Sequence, residues 1–157
     1  MAVTDGSYIR ELIPKVCYAA FVLECSEEKG RITGSFPEQS NNANAYRAKI
    51  PGLIAIHLIL FAANSVRPYL TRAVRVVSDY LGALGKVSTL SWNRIPCQCQ
   101  HSDILKTIMV NCGKLGFALQ YLHVRAHQDD LLAYHLLSRL AQLNCLMDMG
   151  ESESSGA

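Results

Sequence analysis

The sequence predicts one α/β domain over residues 1–150: a mixed five-stranded sheet, three antiparallel strands first, with helices packed on its faces. Three observations predict it. Half of the 157 residues are hydrophobic, enough for a core at this length. The chain up to Pro37 carries β-branched and aromatic runs broken by a turn signal. Beyond it, strand-like apolar runs alternate with runs at helical spacing.

Taken in order, residues 1–7 hold the tail of a first strand, shortened because the chain begins four residues before Asp5. Residues 16–26 (VCYAAFVLECS) read as a second strand. Glu27-Glu28-Lys29-Gly30 is a turn, with glycine where positive φ is easiest, and residues 31–36 return as the third strand. Pro37 to Asn44 reads as a loop, with Asn44 placed to cap a helix. From Ala45 to Ala63 the chain is helical and apolar on most faces. Pro51 fits best if the regular helix starts near Ala48, because an earlier start removes a backbone hydrogen bond and kinks the helix.

Residues 73–77 are a short buried strand closed by Ser78-Asp79, and 80–88 a short helix. Residues 91–101 are irregular. Ile104, Leu105, Ile108, Met109, Cys112 and Leu115 recur at helical spacing, which predicts a helix over 102–115. Residues 117–124 form the fifth strand, 125–130 a polar loop, and the leucine-rich 131–148 the last helix, with little extension beyond Asp148. Residues 151–157 are small and acidic and are expected to be a disordered tail.

A net charge of +2 neither establishes nor excludes a nucleic-acid partner. The six cysteines lie mostly in apolar runs and the first residues are polar, without a secretory pattern. Reduced thiols in an intracellular protein, cytoplasmic or nuclear, are therefore expected. The longest apolar stretch, 50–64, contains Pro51, Gly52 and His57 and falls short of the ~20 residues that cross a bilayer. It reads as a buried helix, with no membrane partner expected.

Three acids occupy informative places: Asp5 at the first strand, Asp79 closing the fourth, Asp148 ending the last helix. Ligand sites of α/β sheets form where strand ends meet helices. Carboxylates gathered there repel one another unless a cation neutralises them, and oxygen-only clusters suit Mg²⁺ or Mn²⁺.

The ordered set Thr4-Asp5-Gly6-Ser7, Tyr46-Arg47-Ala48-Lys49 with Gly52-Leu53, Ser78-Asp79, His123-Val124-Arg125-Ala126-His127-Gln128-Asp129-Asp130, and Leu143-Asn144 with Met147-Asp148 resembles ribonuclease H domains. The likeness is greatest to those attached to retrotransposon reverse transcriptases, and it runs from about Val3 to Asp148. It implies a ribonuclease-H-like fold and metal-dependent cleavage of the RNA strand of RNA–DNA hybrids. It also implies Asp5, Asp79 and Asp148 as catalytic metal ligands and His127 as a loop histidine assisting proton transfer or product release. Two positions depart from the pattern. Lys49 stands where the family has a glutamate; a cation there repels Mg²⁺, so any activity is expected to be impaired, and the lysine could instead pair with Asp5 or Asp79 and fill the metal's electrostatic role. Ala126 replaces a glycine, which is expected to stiffen the loop. The alternative is a catalytically inactive domain of the same fold that binds nucleic acid or a protein partner.

Each residue also has a plainer reading. Asp5 could be a turn residue and Asp79 a helix cap; His127, Asp129 and Asp130 could be solvated loop residues. Cys97-x-Cys99-x-His101 departs from the usual spacing of zinc cysteines and is read as free thiols. His57 is read as a satisfied core histidine, and Trp92 and Tyr80 as packing residues. Arg47, Arg72, Arg75 and Lys86 are candidate phosphate contacts weighed against scattered surface charge.

Overall fold

Val16 to Glu24 is dense in β-branched, aromatic and small apolar residues and forms β2 (Val16–Glu24). It pairs antiparallel with β1 (Ala2–Ile9) on one side and β3 (Arg31–Gln39) on the other. The computed structural model describes residues 1–9, 16–25, 30–39, 43–66, 73–88 and 101–154, with the backbone alone at 9 and 148–154. The remaining elements are α1 (Ala45–Val66), β4 (Val74–Ser78), α2 (Leu81–Ser88), α3 (Ser102–Cys112), β5 (Leu119–His123) and α4 (Arg139–Ser154). The sheet order is β3-β2-β1-β4-β5, with β4 parallel to both β1 and β5. The α/β class, the mixed five-stranded sheet and the order of elements agree with the sequence-based expectation.

Alternation along the strands divides the core into two layers. Ala2, Phe21 and Val76 face Ile50, Leu53, Ile56 and Leu60 of α1 and Leu105 and Ile108 of α3. Their neighbours Val3, Val22 and Val77 face Ala141, Leu143 and Cys145 of α4. Helix α1 is long and apolar enough to cross a membrane by length and composition. Ile50, Leu53, Ile56 and Leu60 of this helix are buried in the core, whereas Leu58 is exposed.

Several boundaries differ from expectation. β1 is a full strand that continues past Asp5 to Ile9, paired with β2 along its length. β3 runs through Pro37 to Gln39; it is an edge strand, where a missing N–H costs little. α1 begins at Ala45, not near Ala48, because Asn44 Oδ1 accepts the Arg47 N–H at 2.8 Å and caps it there. Pro51 thus lies inside the helix, buried, where it forfeits one helical hydrogen bond. The leucine-rich 131–138 is not helical apart from a 3₁₀ turn at Tyr134–Leu136, and Leu131, Leu132 and Leu136 are exposed. α4 starts after Ser138, whose hydroxyl accepts the Ala141 N–H at 3.3 Å. The helix continues through Ser154, into the segment expected as tail. The turn residues 26–29, most of the irregular 91–101 and the final 155–157 lie outside the described residues.

Two glycines set how closely α1 lies on the sheet. A Cβ on Gly6 would collide with the Ala48 carbonyl, and one on Gly52 with the Thr4 hydroxyl. The Thr4 Oγ1 is itself committed, donating to the Ala20 carbonyl at 2.9 Å. Both glycines belong to the sequence boxes singled out above, and both serve close approach of helix to strand.

Further along α1, His57 is fully buried. Its Nδ1–H donates to the Leu53 carbonyl, which can only accept, so Nε2 is the acceptor for the Tyr121 hydroxyl at 2.7 Å. Cys112 Sγ lies 3.4 Å from the same hydroxyl. Burial holds the His57 pKa below its ordinary 6.5, against a smaller opposing effect of the Leu53 hydrogen bond. The lowered folded value means that the unfolded chain takes up this proton first as pH falls. Stability is therefore complete above pH 6.5 and declines below it, by at most ~1.4 kcal/mol per pH unit from this residue. Denaturant unfolding between pH 7.5 and 5 checks this: His57→Gln is expected to be less stable at pH 7.5 yet to show a clearly shallower decline.

Candidate functional site

The site follows from strand register. Thr4 of β1 is level with Ser78 of the parallel neighbour β4, so Asp5 and Asp79 stand side by side, one residue further on. The close seating of α1 over Gly6 brings Lys49, next after Ala48, to the same point. The Lys49 ammonium donates to Asp5 Oδ1, and to Asp79 Oδ1 and Oδ2 at 2.7 and 2.8 Å. Asp5 Oδ1 also accepts the Gly6 N–H at 2.7 Å. The side chains are 2% (Asp5), 8% (Asp79) and 16% (Lys49) exposed, so this is a largely buried ion triad.

Burial alone would lower the Lys49 pKa, but the charges and hydrogen bonds of Asp5 and Asp79 outweigh it and hold it above the ordinary lysine value. The Asp79 carboxyl is pushed up, first by burial and then by the Asp5 charge, against the opposing pull of Lys49. Both shifts favour taking up a proton, as expected of one ammonium shared by two carboxylates. The stabilisation that Lys49 provides is fully present below pH 10.5 and is lost as pH rises through its elevated folded value.

A divalent ion does not fit between these residues. The point where the carboxylates converge is taken by the ammonium, and a dication 4 Å from it is repelled by ~8 kcal/mol at an effective dielectric of 20. Among the described residues no three His, Cys, Asp or Glu side chains are grouped to hold a metal ion. Asp148 lies on α4, the helix covering the face of β1 that alternation gives to Val3 and Asp5; its side chain is outside the described residues.

His127 is exposed in the loop after β5, with φ 49°, ahead of a 3₁₀ turn at Gln128–Asp130. The left-handed residue of this loop is His127 and not Ala126, so position 126 makes no demand for glycine here. Asp129 and Asp130 are exposed. Asp79 does not take the helix-capping role that was its plainer reading: its carboxylate goes to Lys49, while the Tyr80 N–H is accepted by Ser78 Oγ at 3.2 Å.

Sequence reasoning missed His123 as a neighbour of the site. It is level with Ser78 across β4 and β5, and its Nε2–H donates to the Asp79 carbonyl at 2.9 Å. The Val124 N–H adds a bond to the Ser78 carbonyl at 3.1 Å. Together they pin the backbone that carries the Asp79 carboxylate. The signal lay in the β4–β5 register, which sequence spacing does not display.

Of the candidate phosphate contacts, Arg47 is occupied. It lies 2.6–2.7 Å from Glu38 Oε1 and 3.2 Å from His101 Nδ1. Lys86 sits 4.9 Å over the Tyr46 ring, which meets Tyr80 edge-on, so Tyr80 packs as expected. Arg75 is exposed; Arg72, Trp92, Cys97 and Cys99 lie outside the described residues.

No protein-family model matches the chain, and no curated protein matches it. Solved structures do. Ribonuclease H1 from the halophilic archaeon Halobacterium salinarum superposes with a TM-score of 0.56 at 13% identity, over 82% of this chain and 87% of that one. A ribonuclease H1 isolated from compost by a metagenomic approach gives 0.61 at 13% identity, over 99% and 96%. The protease–reverse transcriptase of prototype foamy virus gives 0.66 at 20% identity, over 99% of this chain and 21% of that one. With the sheet order and helix placement above, these likenesses establish a ribonuclease-H-like fold.

The triad sets a stability expectation. Lys49→Met leaves two buried carboxylates facing each other and is expected to cost about 3–5 kcal/mol by chemical denaturation. Adding Asp79→Asn is expected to recover a large part of that loss; two strictly additive losses would show that the ammonium and Asp79 do not interact.

Proposed function

We propose that this chain is a ribonuclease-H-type domain directed at the RNA strand of RNA–DNA hybrids, with metal-dependent cleavage impaired by Lys49. One observation carries the reading: on this fold, Asp5 and Asp79 converge as a catalytic pair should, and the group between them is an ammonium. The fold neighbours support the substrate class. The compost ribonuclease H1 has been solved with an RNA/DNA hybrid, and the foamy viral protease–reverse transcriptase with double-stranded DNA. The likeness to the foamy viral protein and the sequence boxes support a domain of retrotransposon reverse-transcriptase type. In this reading Asp148 is the third acid of the site and His127 the assisting loop histidine. The unpaired thiols of Cys17, Cys25 and Cys112 accord with a cytoplasmic or nuclear location.

The triad also favours a second reading, in which the domain keeps the binding role of the fold without its chemistry. Cleavage of a labelled hybrid in Mg²⁺ and in Mn²⁺ separates the two. The unaltered chain is expected to cut slowly or not at all, and Lys49→Glu, checked for folding by circular dichroism, to gain at least ~100-fold. Equal, rapid cutting by both would place Lys49 outside the chemistry. No cutting by a folded Lys49→Glu would leave binding as the function.

A further inference from the structure

The Lys49 ammonium has three N–H groups, and three carboxylate oxygens stand within hydrogen-bond reach of it. It is attached to the first part of α1, where Gly6 and Gly52 press the helix onto β1. It cannot drift away as a dissolved ion does. With both carboxylates ionised, Asp5, Lys49 and Asp79 carry a net charge of −1, against −3 for three acids at the same positions. Three clustered carboxylates would repel a polyanion until a dication neutralised them. Here most of that neutralisation is covalently built in.

We propose that Lys49 is a tethered cation that makes this domain independent of divalent metal: the Asp5–Lys49–Asp79 site takes up neither Mg²⁺ nor Mn²⁺, and nucleic acid binds equally well with metal or with chelator. The second half rests on the reading of the chain as a hybrid-binding domain; the first half does not. A metal ion could enter only by expelling the ammonium from three acceptors in a site whose carboxylates are nearly fully buried. The expelled charge would remain on α1, still tethered beside the incoming dication.

Two measurements on the full chain test this. The first is a Mn²⁺ titration followed by paramagnetic broadening in ¹H–¹⁵N spectra. The amides of Asp5, Gly6, Lys49 and Asp79 are expected to keep their intensity, whereas broadening centred on them overturns the proposal. Lys49→Glu, if folded, is expected to show that broadening. If it does not fold, the spectrum of the unaltered chain still decides. The second is fluorescence anisotropy with a labelled RNA–DNA hybrid at matched ionic strength, in Mg²⁺ and in EDTA. The two Kd values are expected to agree within about twofold, and tightening by Mg²⁺ of about fivefold or more overturns metal independence. Absence of hybrid binding in both buffers overturns the binding half and the functional reading beneath it, while the Mn²⁺ spectrum still judges the site.

Discussion

The constraint on which this site depends is a single ammonium held between two buried carboxylates. Asp5 lies on the central strand β1 and Asp79 just beyond its parallel neighbour β4, so the sheet itself forces them together. Two buried like charges at that separation destabilise a fold unless a cation joins them. Lys49 supplies it from α1, and the glycines at 6 and 52 let α1 come near enough to do so. Backbone register, helix seating and charge are thus parts of one arrangement.

That arrangement decides what chemistry the fold can support. A ribonuclease-H-like sheet offers a point where acids from separate segments meet. In this chain that point is already occupied by a cationic side chain. Lys49 is therefore not a loose surface side chain: with Asp5 and Asp79 it makes a largely buried ion triad. His123, bonded to the Asp79 carbonyl, keeps the acid in place whether or not chemistry follows.

Much of this was legible in the sequence because the carrying signals are local. β-Branched runs marked β2 and β4, helical spacing marked α3, and the boxes around Asp5, Lys49 and Asp79 marked the triad. Boundaries failed where tertiary context overrode local pattern. Leu131, Leu132 and Leu136 suggested an early start to α4, yet they are exposed, and Ser138 begins the helix. Pro37 suggested a loop, yet an edge strand tolerates it. Pro51 suggested a late start to α1, but the Asn44 cap and the fit against the sheet prevailed. In the loop after β5 the left-handed backbone is at His127, a position that local sequence pattern does not mark. His123 and the occupation of Arg47 by Glu38 and His101 depend on pairings distant in sequence, which spacing does not encode.

The most direct test of the central claim is a ¹H–¹⁵N spectrum of the lysine side-chain ammonium groups at neutral pH and low temperature. If Lys49 is clamped as described, its ammonium protons exchange slowly with water. Its resonance then shows hydrogen-bond couplings to the carboxylate carbons of Asp5 and Asp79 and disappears in Lys49→Met. A Lys49 ammonium that exchanges as fast as those of exposed lysines, with no coupling to either carboxylate, would contradict the account.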